Sequence, residues 1–266
     1  MHALLDLDIL CYEMGSAKDD EGHPLAWPLV VSRVDSRIEQ ILDSVEAETW
    51  QGYITGSGNF RDGIATILPY KGNRNRGDRP FWYSDVQRYL LVTRRAELVV
   101  GCEADDRVSI AQSECGDSSI ICSRDKDLLM VPGWHYVWNF ENSKDTEYVD
   151  VAKLVFPHLK KKDRYPFYVE ELDGLRLFYS QLLCGDSADN ILGLYGVGPK
   201  SAAVKRVLEA EDELSMFKEV KEQYELRFGS YWSMFMCENG RLLWMKRNDN
   251  DDWYERQKKL LNDCIS

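Results

Sequence analysis

The chain reads as an α/β protein: a mostly parallel central sheet flanked by helices, followed by a C-terminal helical region that carries a helix-hairpin-helix turn. Three observations predict this. Short apolar runs alternate with segments of helical periodicity through residues 1–165, as βαβ units require. These runs stop at Gly, Asn or acidic residues, as strands do where the chain turns. Beyond about residue 165 the strand signal disappears and the pattern over 166–266 is helical.

In chain order, the run Ala3–Leu10 is a buried strand ending in acids. Residues 28–48 form an amphipathic helix, with Val30, Val31, Val34, Ile38, Ile41, Leu42 and Val45 at helical spacing. Trp50–Thr55 is a second strand, closed by Gly56-Ser57-Gly58-Asn59. Residues 70–80 are basic and Gly-rich and read as loop. A helix over 84–98, a short strand over 97–101 and a helix over 104–112 follow. Ser118–Cys122 is a strand with a polar stop, and Trp134–Phe140 is a further strand.

Composition narrows the function classes. Apolar residues make up 44% and charged residues 29% of 266, as in a soluble globular protein. The seven cysteines form no CxxC pair and the four histidines have no ligand spacing, which argues against a disulfide framework or a zinc site. A reducing cytoplasmic setting is expected. No stretch approaches the ~20 apolar residues of a membrane span. The net charge of −12 speaks to the far field, not to local patches.

Acidic groups stand at the ends of predicted elements. They are Asp6 with Asp8, Glu103-Ala104-Asp105-Asp106, Asp125 with Asp127, and Asp186 with Asp189. Period two puts Asp6 and Asp8 on one side of an extended strand. In a doubly wound sheet, the carboxyl ends of the strands form the binding crevice. Singly, each group reads equally well as a helix cap or a turn. Together, nine carboxylates at one sheet edge would repel and raise each other's pKa values unless hard cations intervened. All-oxygen ligation favours Mg²⁺ or Mn²⁺, and two such ions about 4 Å apart suit in-line attack on a phosphodiester. The expected metal ligands are Asp6, Asp8, Glu103, Asp105, Asp106, Asp125, Asp127, Asp186 and Asp189.

Basic groups supply the complementary charge. Lys71, Arg74, Arg76 and Arg79 face one acid, Asp78, in the loop, and Tyr70 and Phe81-Trp82-Tyr83 flank it. Phosphate contacts from Lys71, Arg74 and Arg76 are expected, with Tyr70 a candidate for base stacking. Gly196-Val197-Gly198-Pro199-Lys200-Ser201 has the form of a helix-hairpin-helix turn. There Gly196 and Gly198 would let backbone N–H groups approach a phosphate, Pro199 suits the first helical position, and Lys200 and Ser201 would add contacts. Lys160-Lys161-Lys162 reads as a solvated charge run.

The motifs LLDLD, YKGNR, EADD, SRDKDLL and GDSADNILGLYGVGPKSA, in this order over residues 3–208, resemble those of the 5′-nuclease family: flap endonucleases, phage 5′-3′ exonucleases and the 5′-nuclease domain of bacterial DNA polymerase I. The resemblance implies a PIN-like or resolvase-like core over 1–165, with an arch-like basic segment over 70–100. It also implies a helical region over 166–266. The implied activity is two-metal hydrolysis of DNA at 5′ ends, nicks or flaps, in phage replication or DNA degradation, by a monomer in the host cytoplasm. RNA–DNA hybrid is a further implied substrate. Asp6, Glu103, Asp105, Asp106, Asp125, Asp127, Asp186 and Asp189 would be ligands directly or through water, and Lys71 would contact the scissile phosphate. The 193–203 hairpin would hold the duplex, together with a K⁺ ion. Two departures stand out. Gly56-Ser57-Gly58 replaces an expected Asp after the second strand, and Gln181 stands where a basic residue often precedes GDxxDN. The competing readings are a PIN-like ribonuclease and a non-catalytic junction-binding module.

Overall fold

Burial along the first strand sets the architecture. In β1 (His2–Asp6), Ala3 and Leu5 point to one side and Leu4 to the other, and all three are at most 1% exposed. A strand buried on both faces belongs inside a covered sheet. The computed structural model describes residues 1–74, 77, 79–138, 150–157 and 165–264. Arg76, Lys160–Lys162 and the end of the Trp134–Phe140 strand lie outside the described residues.

The elements that follow are α1 (Leu7–Gly15), α2 (Trp27–Ser44), β2 (Thr49–Asn59), α3 (Phe60–Ile64), α4 (Tyr83–Val92), β3 (Glu97–Gly101) and α5 (Ala104–Cys115). Next come β4 (Ser119–Cys122), β5 (Gly133–Tyr136), α6 (Asp150–Val155) and β6 (Phe167–Val169). The sheet order is β3-β2-β1-β4-β5-β6, parallel except for β6, which runs antiparallel to β5. The predicted fold class, a mostly parallel sheet between helices, is the observed one. Strand order runs outward from β1 through β2 to β3 and, on the other side, from β4 to β5. The crevice therefore lies between the carboxyl ends of β1 and β4.

Each face of the sheet carries its own core. Ala3, Leu5, Ile54 and Ile120 pack with Leu10, Val86 and Leu90 and with Val30, Val34, Ile38 and Ile41 of α2. Those four α2 residues are at most 3% exposed, so the periodic face read from the sequence is the buried one. Leu4, Tyr53, Val99 and Ile121 face a second core that runs on into the C-terminal helices through Phe178, Phe217, Tyr224 and Trp253.

Three expectations need correction. The first strand ends at Asp6, not Leu10, because the Asp6 carboxylate caps α1 by accepting from the Asp8 amide at 3.2 Å. Gly52 lets that helix lie against β2, since a Cβ there would sit 2.2 Å from Leu7 Cδ1. Strands do not end at residue 165 either. After β6 comes α7 (Glu171–Cys184), then a two-stranded hairpin of β7 (Gly185–Asp186) and β8 (Ile191–Leu192). Strands of two or three residues are too short to leave a period in the sequence. Finally, α4 stops at Val92 rather than 98, and α3 and α6 had no counterpart in the reading. The chain closes with α8 (Ala202–Glu209), α9 (Glu213–Phe228), α10 (Trp232–Leu243) and α11 (Trp253–Asp263). No helix among the described residues is long and apolar enough to cross a membrane.

Candidate active site

The carboxyl end of β1 supplies the first two acids. Asp6 is 4% exposed, and its second oxygen accepts from the Ser123 hydroxyl at 3.0 Å across the β1/β4 crevice. Burial, then the charges of Asp8 and Asp125, push its pKa up to about 8. Asp8 stands in the first turn of α1 rather than in a strand, and accepts from the Thr55 amide of β2 at 3.1 Å. Burial raises it too, and it feels the charge of Glu103.

The second group sits at the N-terminus of α5, where carboxylates meet the positive end of the helix. Glu103 and Asp106 form a reciprocal capping box. Glu103 accepts from the Lys71 ammonium, and its other oxygen lies 2.7 Å from the Tyr70 hydroxyl. Burial works against the Glu103 charge, but Lys71 and Arg61 outweigh it and hold its pKa below the usual value. Asp105 is raised by burial and by Glu103 and Asp106. Asp106 differs from the others. It is fully buried and bound by both terminal nitrogens of Arg61, at 2.5 and 2.9 Å, so it supports the cap rather than facing the cluster.

The third and fourth groups meet through a lysine. Asp125 accepts from the Asp127 amide at 2.9 Å, and burial and Asp127 push its pKa up to about 6. Lys126 donates to Asp127 at 2.8 Å and to Asp186, while Gln181 donates to the same Asp127 oxygen at 2.8 Å. Burial opposes the Asp127 charge, but Lys126 overcomes it and lowers the pKa. Asp186 is presented by the β7–β8 hairpin. There Gly185 (φ +75°) and Gly193 bring backbone onto backbone, and a Cβ on Gly185 would meet the Gly193 nitrogen at 2.2 Å.

YKGNR and GDSADN interlock. The Lys71 amide donates to the Asp189 carbonyl at 2.9 Å, Asn73 to the Ser187 carbonyl at 2.7 Å, and Asn190 to the Pro69 carbonyl at 2.8 Å. Asp189 accepts from Arg74 at 2.6 Å and lies 2.8 Å from the Tyr70 hydroxyl. Tyr70 is therefore no stacking surface. It is 7% exposed, and its hydroxyl sits between Glu103 and Asp189. Exposed Phe81, at 69%, is the ring of this segment that is open to solvent.

At the second hairpin, Gly196 (φ +80°) and Gly198 have open space where a Cβ would stand. Lys200 is exposed. Ser201 is the N-cap of α8, accepting from the Val204 amide at 3.3 Å, so Pro199 precedes the helix rather than opening it. Arg206 is held by Glu219.

Three residues with clear roles here carried no assignment from sequence: Arg61, Lys126 and Gln181. Lys126 left a faint signal, a cation flanked by acids on both sides. Arg61 left none, because its partner Asp106 lies 45 residues away.

Among the described residues no three His, Cys, Asp or Glu side chains form a ready-made metal cage. Lys71 lies between Glu103 and Asp189, and Lys126 between Asp127 and Asp186. The donor set nevertheless fits a hard cation. It is all oxygen, and burial, with the charge of neighbouring carboxylates, makes Asp6, Asp8, Asp105 and Asp125 resist ionisation.

No protein-family model and no curated protein matches the chain by sequence. Solved structures do match. A variant of the bacteriophage T5 flap endonuclease, in a pseudo-enzyme–product complex with DNA and metal ions, superposes with a TM-score of 0.61 at 17% identity, covering 100% of this chain and 99% of that one. The T5 D15 protein co-crystallised with metal ions gives 0.53 at 16% identity over 91% and 85%. A mutant T5 5′-exonuclease gives 0.50 at 17% over 91% and 84%. The chain thus has the fold of the 5′-nucleases, with its acids gathered at the carboxyl ends of the strands.

Proposed function

We propose that the chain is a divalent-metal-dependent nuclease that hydrolyses DNA phosphodiester bonds at 5′ ends, nicks or flaps. One observation carries this reading. Acids from four separated segments gather at the β1/β4 crevice and around Lys71 and Lys126. The T5 structures, one with DNA and metal ions and one with metal ions, support the same reading.

Mg²⁺ or Mn²⁺ bound there would lower the pKa of water and neutralise charge on the phosphate. Asp6, Asp8 and Asp125 would hold one ion, with Glu103 and Asp105 completing its surroundings. Asp127, Asp186 and Asp189 would hold the second. Asp106 would act indirectly, by fixing the α5 cap through Arg61. The Lys71 ammonium exchanges a carboxylate for the scissile phosphate and orients it. Arg74 and Arg76 bind flanking phosphates. Gly196, Gly198, Lys200 and Ser201 meet the duplex backbone, where a K⁺ ion is also proposed.

The test is cleavage of a 5′-labelled flap duplex by wild type and Asp125→Ala, with Mg²⁺ and with EDTA. Metal-dependent release of short 5′ products, lost in the variant, is expected. Flap binding without cleavage would instead assign a binding module. Cleavage of single-stranded RNA alone would assign a ribonuclease.

A further inference from the structure

Helix α10 touches the backs of three segments that carry the site. The Leu242 carbonyl accepts from Arg61 Nε at 2.8 Å and the Trp244 carbonyl from Arg61 Nη2 at 3.1 Å, and Arg61 in turn holds the α5 cap. Asn239 donates to the Leu192 carbonyl of the Asp186 hairpin at 2.8 Å. Glu238 takes hold of the third segment. One of its oxygens accepts from the Thr66 and Ile67 amides, at 2.7 and 2.8 Å, and the other from the Thr66 hydroxyl.

Thr66 and Ile67 open the six-residue segment that ends at Lys71. Its far end is fastened by the Lys71 amide on the Asp189 carbonyl and by Asn190 on the Pro69 carbonyl. Between these anchors Lys71 adopts φ +51°, a left-handed conformation that a non-glycine residue keeps only when its surroundings over-determine it. Pro69 stiffens the span, so a shift at Thr66 is passed along rather than absorbed. Glu238 stands 167 positions from Lys71 in sequence and makes no contact with the acids described above.

We propose that Glu238 is a positioning residue for Lys71: it clamps the start of the Thr66–Lys71 segment and thereby sets where the ammonium stands. This rests on the nuclease reading. It gives the helices after α8, which carry no motif of their own, a part in the chemistry.

A double-mutant cycle tests it. Single-turnover cleavage of the flap duplex is measured for wild type, Glu238→Ala, Lys71→Met and the double variant, and binding of the same duplex is measured without divalent metal. Glu238→Ala should lose roughly tenfold to a hundredfold in rate, the scale of a small misplacement of a catalytic group. DNA affinity should stay within about twofold. Glu238→Gln, whose amide oxygen still accepts from the two backbone amides, should recover most of the rate. In the Lys71→Met background the loss from Glu238→Ala should shrink to under about twofold, because coupled residues are not additive. An equal loss in both backgrounds, or no loss at all, overturns the proposal. Glu238→Leu, which keeps bulk and lacks acceptors, replaces the Ala variant in the cycle if that variant does not fold. Wild-type cleavage is measured first: its absence sinks the nuclease reading, whereas additivity in an active enzyme sinks the role of Glu238 alone.

Discussion

The carboxylate cluster has two halves that the protein treats differently. In the inner half, Asp6, Asp8 and Asp125 accept from a hydroxyl and backbone amides, with no cation at ion-pair distance among the described residues. Burial leaves all three reluctant to ionise. In the outer half, Glu103, Asp127, Asp186 and Asp189 are bridged by Lys71, Lys126 and Arg74. Glu103 and Asp127 are held below their usual pKa as a result, whereas burial still raises Asp189. The protein has thus set its own cations against the outer charges and left the inner ones without them. Unpaired buried charge is the costlier arrangement, so the inner half has the stronger demand for a dication.

The largest effect expected from this contrast is on rate. Asp6→Asn should reduce single-turnover cleavage well beyond the roughly 10–100-fold that an outer partner of a metal ligand is worth. Gln181→Ala, which acts only through Asp127, should fall inside that range. Equal losses would erase the distinction between the halves.

Next comes the buried pair behind the outer half. Arg61→Met would leave Asp106 charged, buried and unpaired, and should cost about 3–5 kcal/mol of unfolding free energy in urea titration. Adding Asp106→Leu should restore part of that loss, because the pair removed together leaves no orphan charge. If the double variant is no more stable than the single one, the pair is not what Arg61 provides.

Lys126 probes the outer half from within. Lys126→Met removes the ammonium between Asp127 and Asp186. The metal-free melting temperature should fall, and the rise on adding saturating Mg²⁺ should exceed that of wild type, since a dication gains more where the protein's own cation is gone. An unchanged Mg²⁺ shift would show that the ammonium and the ion do not compete.

What the sequence made legible follows from where each signal lives. The acids at the strand ends were readable because an apolar run that stops at a carboxylate marks both an element and its crevice end. Asp6, Asp125 and Asp127 are of that kind, and the switch point between β1 and β4 brings them together. Asp8 stands in α1 and not in the expected strand, because LLDLDIL suits a strand as well as a helix start. Capping by Asp6 decided between them. The partners of Arg61 and Glu238 lie 45 and 172 residues away, and no local pattern encodes such a contact. Tyr70 shows the same limit from the other side. An aromatic next to a basic loop suggests stacking, and only packing reveals that its hydroxyl is committed to two carboxylates.

The smallest effect is the pH dependence of stability, and it bears on the inner half above all. The Asp6 pKa rises from its ordinary 3.8 to about 8 on folding, and that of Asp125 to about 6. A carboxyl raised in the folded state binds its proton more tightly there than in the unfolded chain. Stability from such a group is therefore lost as pH rises from the unfolded value through the folded one. Glu103 and Asp127, held low, have their full contribution above the ordinary carboxylate range and add no slope near neutrality. Buried His135, lowered to about 4, contributes in the opposite sense: its share is intact above 6.5 and lost as pH falls from there towards 4. The window from pH 6.5 to 8 thus belongs to the carboxyls that burial raises, Asp6 above all, with Asp8, Asp105 and Asp189 raised in the same sense. In EDTA the melting temperature should decline across it. Saturating Mg²⁺, which binds the ionised carboxylates, should flatten the decline. A flat or rising profile in EDTA would mean that the inner acids are already ionised without metal, and the contrast between the two halves would be gone.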